Sequence, residues 1–167
     1  MNAGMLSVLV VLFRFLVILV VNRPSFLAIQ RFAPMEGSNE KMIYWLYQLL
    51  QAILLAYPFL LKIEFKLLGI IVMGFGMAGL FRAIHDFGPG LVTQGIYSLS
   101  RHPMYLSYYL IYASIAIMSS SILYSLFVIL FMVASHFIIQ SEERWCLETY
   151  GQKYVEYCQS VPRYLIS

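Results

Sequence analysis

Between residues 104 and 139 the chain runs for 36 residues without an aspartate, glutamate, lysine or arginine. No other feature limits the fold so sharply. As one α-helix this stretch would be ~54 Å long, against a hydrocarbon layer of ~30 Å. It therefore has to fold back on itself. Ser119, Ser120 and Ser121, near its middle, supply hydroxyls that satisfy the backbone of a tight reversal. The pattern predicts a helical hairpin in a membrane.

The remaining sequence agrees. The chain has 167 residues, of which 61% are hydrophobic and 11% charged, against roughly 25% charged in a soluble domain. A water-soluble chain of this size could not hide so much apolar surface. A disordered chain, a disulfide-stapled secreted domain and a nucleic-acid module are excluded with it. Residues 4–21 form a first apolar run, broken by Arg14; with no basic segment before it and no small-residue cleavage site after it, it reads as a retained span rather than a signal peptide. Residues 43–61, containing Pro58, form a second, and residues 67–84 a third, with Arg82 near its end. The expected fold is thus all-α and polytopic: five transmembrane helices, including the C-terminal hairpin, and a polar, aromatic segment from Ser141 onward with Gly151 and Pro162 as helix breakers.

Loop charge sets the orientation. If the N-terminus lies outside, the inner segments hold Arg23, Arg31, Lys41, Arg82, Arg101, Arg144, Lys153 and Arg163, and the outer ones hold Lys62 and Lys66. This predicts an outside N-terminus and a cytoplasmic C-terminal segment. It also divides the chain into N-terminal spans over 1–86 and a site-bearing region over 87–167. The loop from Arg82 to Pro103 and the tail from Glu142 then flank the open end of one hairpin, roughly 8–10 Å apart.

That end carries the residues with chemistry. Arg101 and His102 precede Pro103 at the start of a span, where an uncapped helix N-terminus favours an anion. Tyr97, Tyr105, Tyr108 and Tyr109 offer aromatic faces, and Glu142-Glu143 offer carboxylates. A carboxylate, a sulfonium and a ribose, the groups of S-adenosylmethionine, suit such a set; ordinary interfacial charge and belt tyrosines would look the same from spacing alone.

The ordered motifs go further. Leu91-Val-Thr-Gln-Gly-Ile-Tyr97, Arg101-His-Pro-Met-Tyr105, a hydrophobic hairpin, Glu142-Glu143, Tyr150-Gly-Gln-Lys-Tyr154 and Val161-Pro-Arg163 resemble the superfamily of isoprenylcysteine carboxyl methyltransferases and membrane phospholipid methyltransferases. The resemblance implies a membrane enzyme using S-adenosylmethionine, with a lipophilic or lipidated acceptor entering from the bilayer. By matching position it implies that Leu91, Val92, Gly95, Tyr97, His102, Pro103, Met104, Tyr105 and Glu142 bind the cofactor. Arg101 and Glu143 are then the catalytic candidates, with Glu142 on the ribose and Arg101 and His102 on the methionine carboxylate. Two departures loosen the link to a prenylcysteine acceptor: Pro89 stands where those enzymes carry a histidine, and Ile138 where they carry an arginine, with His136 and Gln140 nearby.

Other features have plainer readings. Cys146 and Cys158 lack metal-ligand spacing and read as packing residues, so no metal is expected. Arg14 is costly in mid-span and a site candidate by default, although far from the motifs in sequence. His85 and Asp86 read as loop capping rather than an acid–base pair, since helical neighbours diverge. Gly69, Gly74, Gly76 and Gly79, with Ala78 spaced four from Gly74, predict close helix packing. Trp45 and Trp145 suit interfacial anchoring. The competing functions are a phospholipid, amine or thiol methyltransferase of the same superfamily, a sterol-type reductase using a nicotinamide cofactor, and a non-enzymatic transporter or assembly subunit.

Overall fold

A computed structural model of the chain describes residues 2–29 and 33–165; Arg31 lies outside them. Its helices are α1 (Gly4–Val21), α2 (Phe26–Ile29), α3 (Gly37–Ala56), α4 (Leu67–Asp86), α5 (Pro103–Ser119), α6 (Ile122–Tyr150) and α7 (Gln152–Ser160). No β-sheet occurs among the described residues.

Local sequence explains the boundaries. Pro58 cannot donate to the helical ladder, and there α3 tightens into a 3-10 turn over Tyr57–Leu60. The expected hairpin is present. Ser120 takes a left-handed conformation (φ 52°), and Ser121 caps α6 by accepting from the Tyr124 N–H at 3.2 Å. The triple serine thus serves the backbone, as its composition suggested. Gly151 ends α6, and α7 stops two residues before Pro162.

Four helical segments are long and apolar enough to cross a membrane: Gly4–Val21, Gly37–Leu60, Leu67–Asp86 and Ile122–Tyr150. The remaining hairpin arm, α5, is shorter at 17 residues. Leu12, Leu49, Phe75 and Leu130 lie exposed on outward faces, as a hydrocarbon solvent requires. The spans and the hairpin share one core in which α5 lies along α4 and α6 along α3. Tyr47, Tyr109 and Tyr112 gather around Phe131 there.

The seam between α4 and α5 is closer than side chains would allow. A Cβ on Gly76 would stand 2.8 Å from Ile111 Cγ1, and one on Gly79 would stand 2.7 Å from Ser107 Oγ; Gly69 faces Met118 in the same way. Gly74 is the exception. Nothing lies within 4 Å of its missing Cβ, so the Gly74–Ala78 spacing is not the contact register. On a 3.6-residue period, Gly69, Gly76 and Gly79 share a face that Gly74 turns away from.

The two ends of the bundle differ. At one end, the Ala3 N–H donates to the Leu61 carbonyl and the Glu64 N–H to the Met118 carbonyl, while Lys66 reaches the Ser120 hydroxyl. At the other, the Asn22 amide donates to the Ile84 and Phe87 carbonyls, each at 2.6 Å, tying the end of α1 to the end of α4. The loop of residues 87–102, the last turns of α6, and α7 collect there.

Candidate active site

The loop leaving α4 is fixed by Asp86. Its Oδ2 accepts from the Ile96 N–H at 2.9 Å and pairs with Arg82 at 3.3 Å. Its Oδ1 lies 2.8 Å from His85 Nδ1. Capping is therefore what Asp86 does, but the expectation that the two neighbours diverge fails. Asp86 is the last helical residue, and its side chain is free to turn back. Gly95 has φ +63°, and the Asp86 carboxylate fills the space that a Cβ would take. A side chain is excluded there twice over.

Tyr97 is buried. Its hydroxyl donates to the Ala83 carbonyl at 3.2 Å, and its own carbonyl accepts from Tyr157 OH at 2.6 Å. Burial raises both phenols above their ordinary range, Tyr157 to about 12, so both remain donors at neutral pH. Leu91 packs on the cluster of Tyr154, Tyr157 and Val161, beside the free thiols of Cys146 and Cys158. Val92 lies against Gly88. Leu91 and Tyr97 thus anchor α7 to the loop.

Pro103, buried, opens α5; the His102 side chain makes no capping bond, while the His102 N–H donates to Ser100 Oγ at 3.2 Å. Four orphan N–H groups are expected in such a first turn, where proline removes one of them. Met104 is half-buried against the core. Tyr105, two residues in, donates its hydroxyl to Glu142 Oε1 at 2.7 Å. The His102 ring stands edge-on to Tyr105, with Nδ1 3.7 Å from Glu142 Oε2 and Nε2 3.2 Å from Glu143 Oε1.

The two adjacent glutamates are used differently. Glu143 Oε1 accepts from Arg101 Nη2 at 2.9 Å and Nε at 3.1 Å, while Oε2 accepts from Arg163 Nε at 3.0 Å and Nη2 at 2.5 Å. Arg101 Nη1 donates to the Cys158 and Val161 carbonyls at 3.1 and 3.2 Å, closing the end of α7. The Arg101 N–H donates to the Pro162 carbonyl at 3.1 Å, and Ser100 Oγ to the Arg163 carbonyl at 3.0 Å. Residues 161–164 are thereby strapped across the hairpin's open end. Glu142 has one direct hydrogen bond among the described residues, and its second oxygen has none.

Arg101, His102, Tyr105, Glu142 and Glu143 thus meet at one place, with Pro103 and Met104 beneath them; Leu91, Val92, Gly95 and Tyr97 form the loop and its anchor. Sequence reasoning missed three partners. Arg163 shares Glu143, and Tyr164 meets His136 Nδ1 at 2.8 Å. Arg144 makes a bidentate pair with Glu40 at 2.7 and 3.0 Å, joining α6 to the start of α3. The advance signal for Arg163 was its place in the Val161-Pro-Arg163 motif; Tyr164 and Arg144 carried none, since their partners are distant in sequence. Among the described residues no cluster of metal-binding side chains occurs.

The sequence profile of the phospholipid methyltransferase family matches residues 52–153, more than half of the chain. The chain belongs to that family. The match runs from within α3 to the start of α7, so it contains the loop, the hairpin and both glutamates. No individually curated protein matches the chain. Family membership makes this a membrane methyltransferase, and it leaves Arg163 and Tyr164 outside the matched segment.

Proposed function

We propose that the chain is an S-adenosylmethionine-dependent methyltransferase acting on a lipophilic acceptor that enters from the bilayer. The observation that carries this reading is the pair of unequal glutamates beside the start of α5. Glu142 has a carboxylate oxygen without a hydrogen-bond donor, the His102 side chain does not cap α5, and Tyr105 and His102 stand beside Glu142. These groups fit an S-adenosyl ligand: a carboxylate for ribose hydroxyls, helix N–H groups and the His102 ring for the methionine carboxylate, and tyrosine rings near a sulfonium. When bound, S-adenosylmethionine supplies a methyl group activated on positive sulfur.

Arg101, by contrast, spends its guanidinium on Glu143 and two carbonyls. We assign it, with Glu143, to holding the strap that closes the site, rather than to gripping the cofactor. Positioning and exclusion of water then supply most of the rate. We place the reaction on the cytoplasmic side of five spans, α5 and α6 being the fourth and fifth, with the N-terminus outside and the cofactor region over 87–167.

For the acceptor, an amine- or thiol-bearing lipid fits better than a prenylcysteine carboxylate. Both arginines of the cluster are engaged by Glu143, and Ile138 is buried. An amine has to be neutral to accept a methyl group. Glu143 is saturated by its donors, which leaves the His136 imidazole, held by Tyr164 and Gln140, to take that proton. Transfer of radiolabelled methyl from S-adenosylmethionine into host lipid extracts tests the reading. Label in an extractable lipid is expected; saturable binding of NADPH with no methyl transfer would replace this reading with the reductase one.

A further inference from the structure

Arg14 is a mid-span charge without an ion pair among the described residues. It sits on the inward face of α1, in helical register with the buried Ser7, Val10, Val17 and Ile18. Its guanidinium carbon lies 5.8 Å from the centre of the Tyr108 ring and 6.0 Å from that of Phe15. Among the described residues no carboxylate pairs with it, and no acceptor takes its N–H groups. The side chain is half-buried. The two rings offset part of the cost of a guanidinium within a span, and an anion brought to it would offset more.

Its position relates it to the site, contrary to the distance that sequence alone suggests. Asn22, at the site end of α1, is eight residues on, ~12 Å along the helix. Tyr108 lies three residues, ~4.5 Å, beyond Tyr105 on the same face of α5. Tyr105 holds Glu142, and the Tyr47 ring leans on Tyr105 with centroids 6.4 Å apart. Arg14 and Glu142 are therefore joined by one wall of tyrosines, with Arg14 deeper in the hydrocarbon.

We propose that Arg14 holds the anionic group of the bilayer-borne acceptor, set back from the reacting atom toward the lipid tails. The proposal rests on the methyltransferase reading and narrows its substrate. A guanidinium fork takes a phosphate or a carboxylate through two parallel hydrogen bonds. A lipid with a phosphate between tails and headgroup puts the anion at Arg14 and the headgroup near Glu142. A carboxylate that was itself the methyl acceptor would leave Arg14 unpaired.

The test is native mass spectrometry of the full chain in detergent, titrated with dioleoyl phosphatidic acid, dioleoylglycerol or oleate. Wild type is expected to prefer an anionic lipid to dioleoylglycerol by at least about tenfold, and the stronger of the two anions identifies the source. Arg14→Gln removes the preference and leaves dioleoylglycerol binding unchanged. Arg14→Lys keeps part of it and still reports if the glutamine variant does not fold. A wild type without preference, or a preference untouched in both variants, overturns the proposal. S-Adenosylmethionine binding on the same samples separates the claims: its absence from wild type removes the methyltransferase reading while an Arg14-dependent anion preference stands.

Discussion

The two ends of the helical bundle solve the same problem by opposite means. At the end holding Phe59–Lys66 and Ser119–Ser121, helices are joined by short turns whose polar groups are met by backbone carbonyls and one hydroxyl cap. At the other end, a loop, two helix termini and α7 are held by buried ion pairs centred on Glu143, with Arg101 and Glu143 side chains only 10% and 11% exposed. Burying charge is rarely the cheapest way to close a bundle. The first end shows that this chain can close one without it. We read the second end as serving something besides closure, at the partly unclaimed Glu142 beside the saturated Glu143.

The sharpest way to break that contrast is Glu143→Ala. It strands Arg101 and Arg163 without their shared anion and should cost about 3 kcal/mol or more. A lowered unfolding midpoint and early proteolysis after α7 would report it. A variant as stable as wild type would mean the network is ornamental. Between the ends, Gly76→Ala should cost about 1–3 kcal/mol by pushing on Ile111. Gly74→Ala should be neutral or stabilising by up to about 1 kcal/mol, because it points at nothing. Paired thermal melts in one detergent check both. At the turn end, Ser121→Ala removes only a helix cap, a loss of about 1 kcal/mol with cofactor binding unchanged. A large effect of Ser121→Ala on binding would erase the distinction between the ends.

Much of the architecture was legible because hydrocarbon thickness acts on length and composition alone. The 36-residue uncharged run forced a hairpin, and the serines marked its turn. Residue pairing was less legible. Gly74 and Gly76 look alike in sequence, and only the direction from which α5 approaches separates them. Arg101 was expected on the methionine carboxylate, but its partners in the fold, Glu143 and the Cys158 and Val161 carbonyls, lie some 40 to 60 residues away, beyond the reach of sequence spacing. Arg14 looked remote since sequence distance ignores that α1 and α5 pack into one core.

The central claim is that Glu142, not Glu143, faces the cofactor. Calorimetric titration of S-adenosylmethionine into the purified full chain and Glu142→Gln tests it most directly. Saturable binding by wild type, weakened about 10- to 100-fold in the variant without loss of the folded state, is the predicted result. Equal affinity in the two proteins would contradict it.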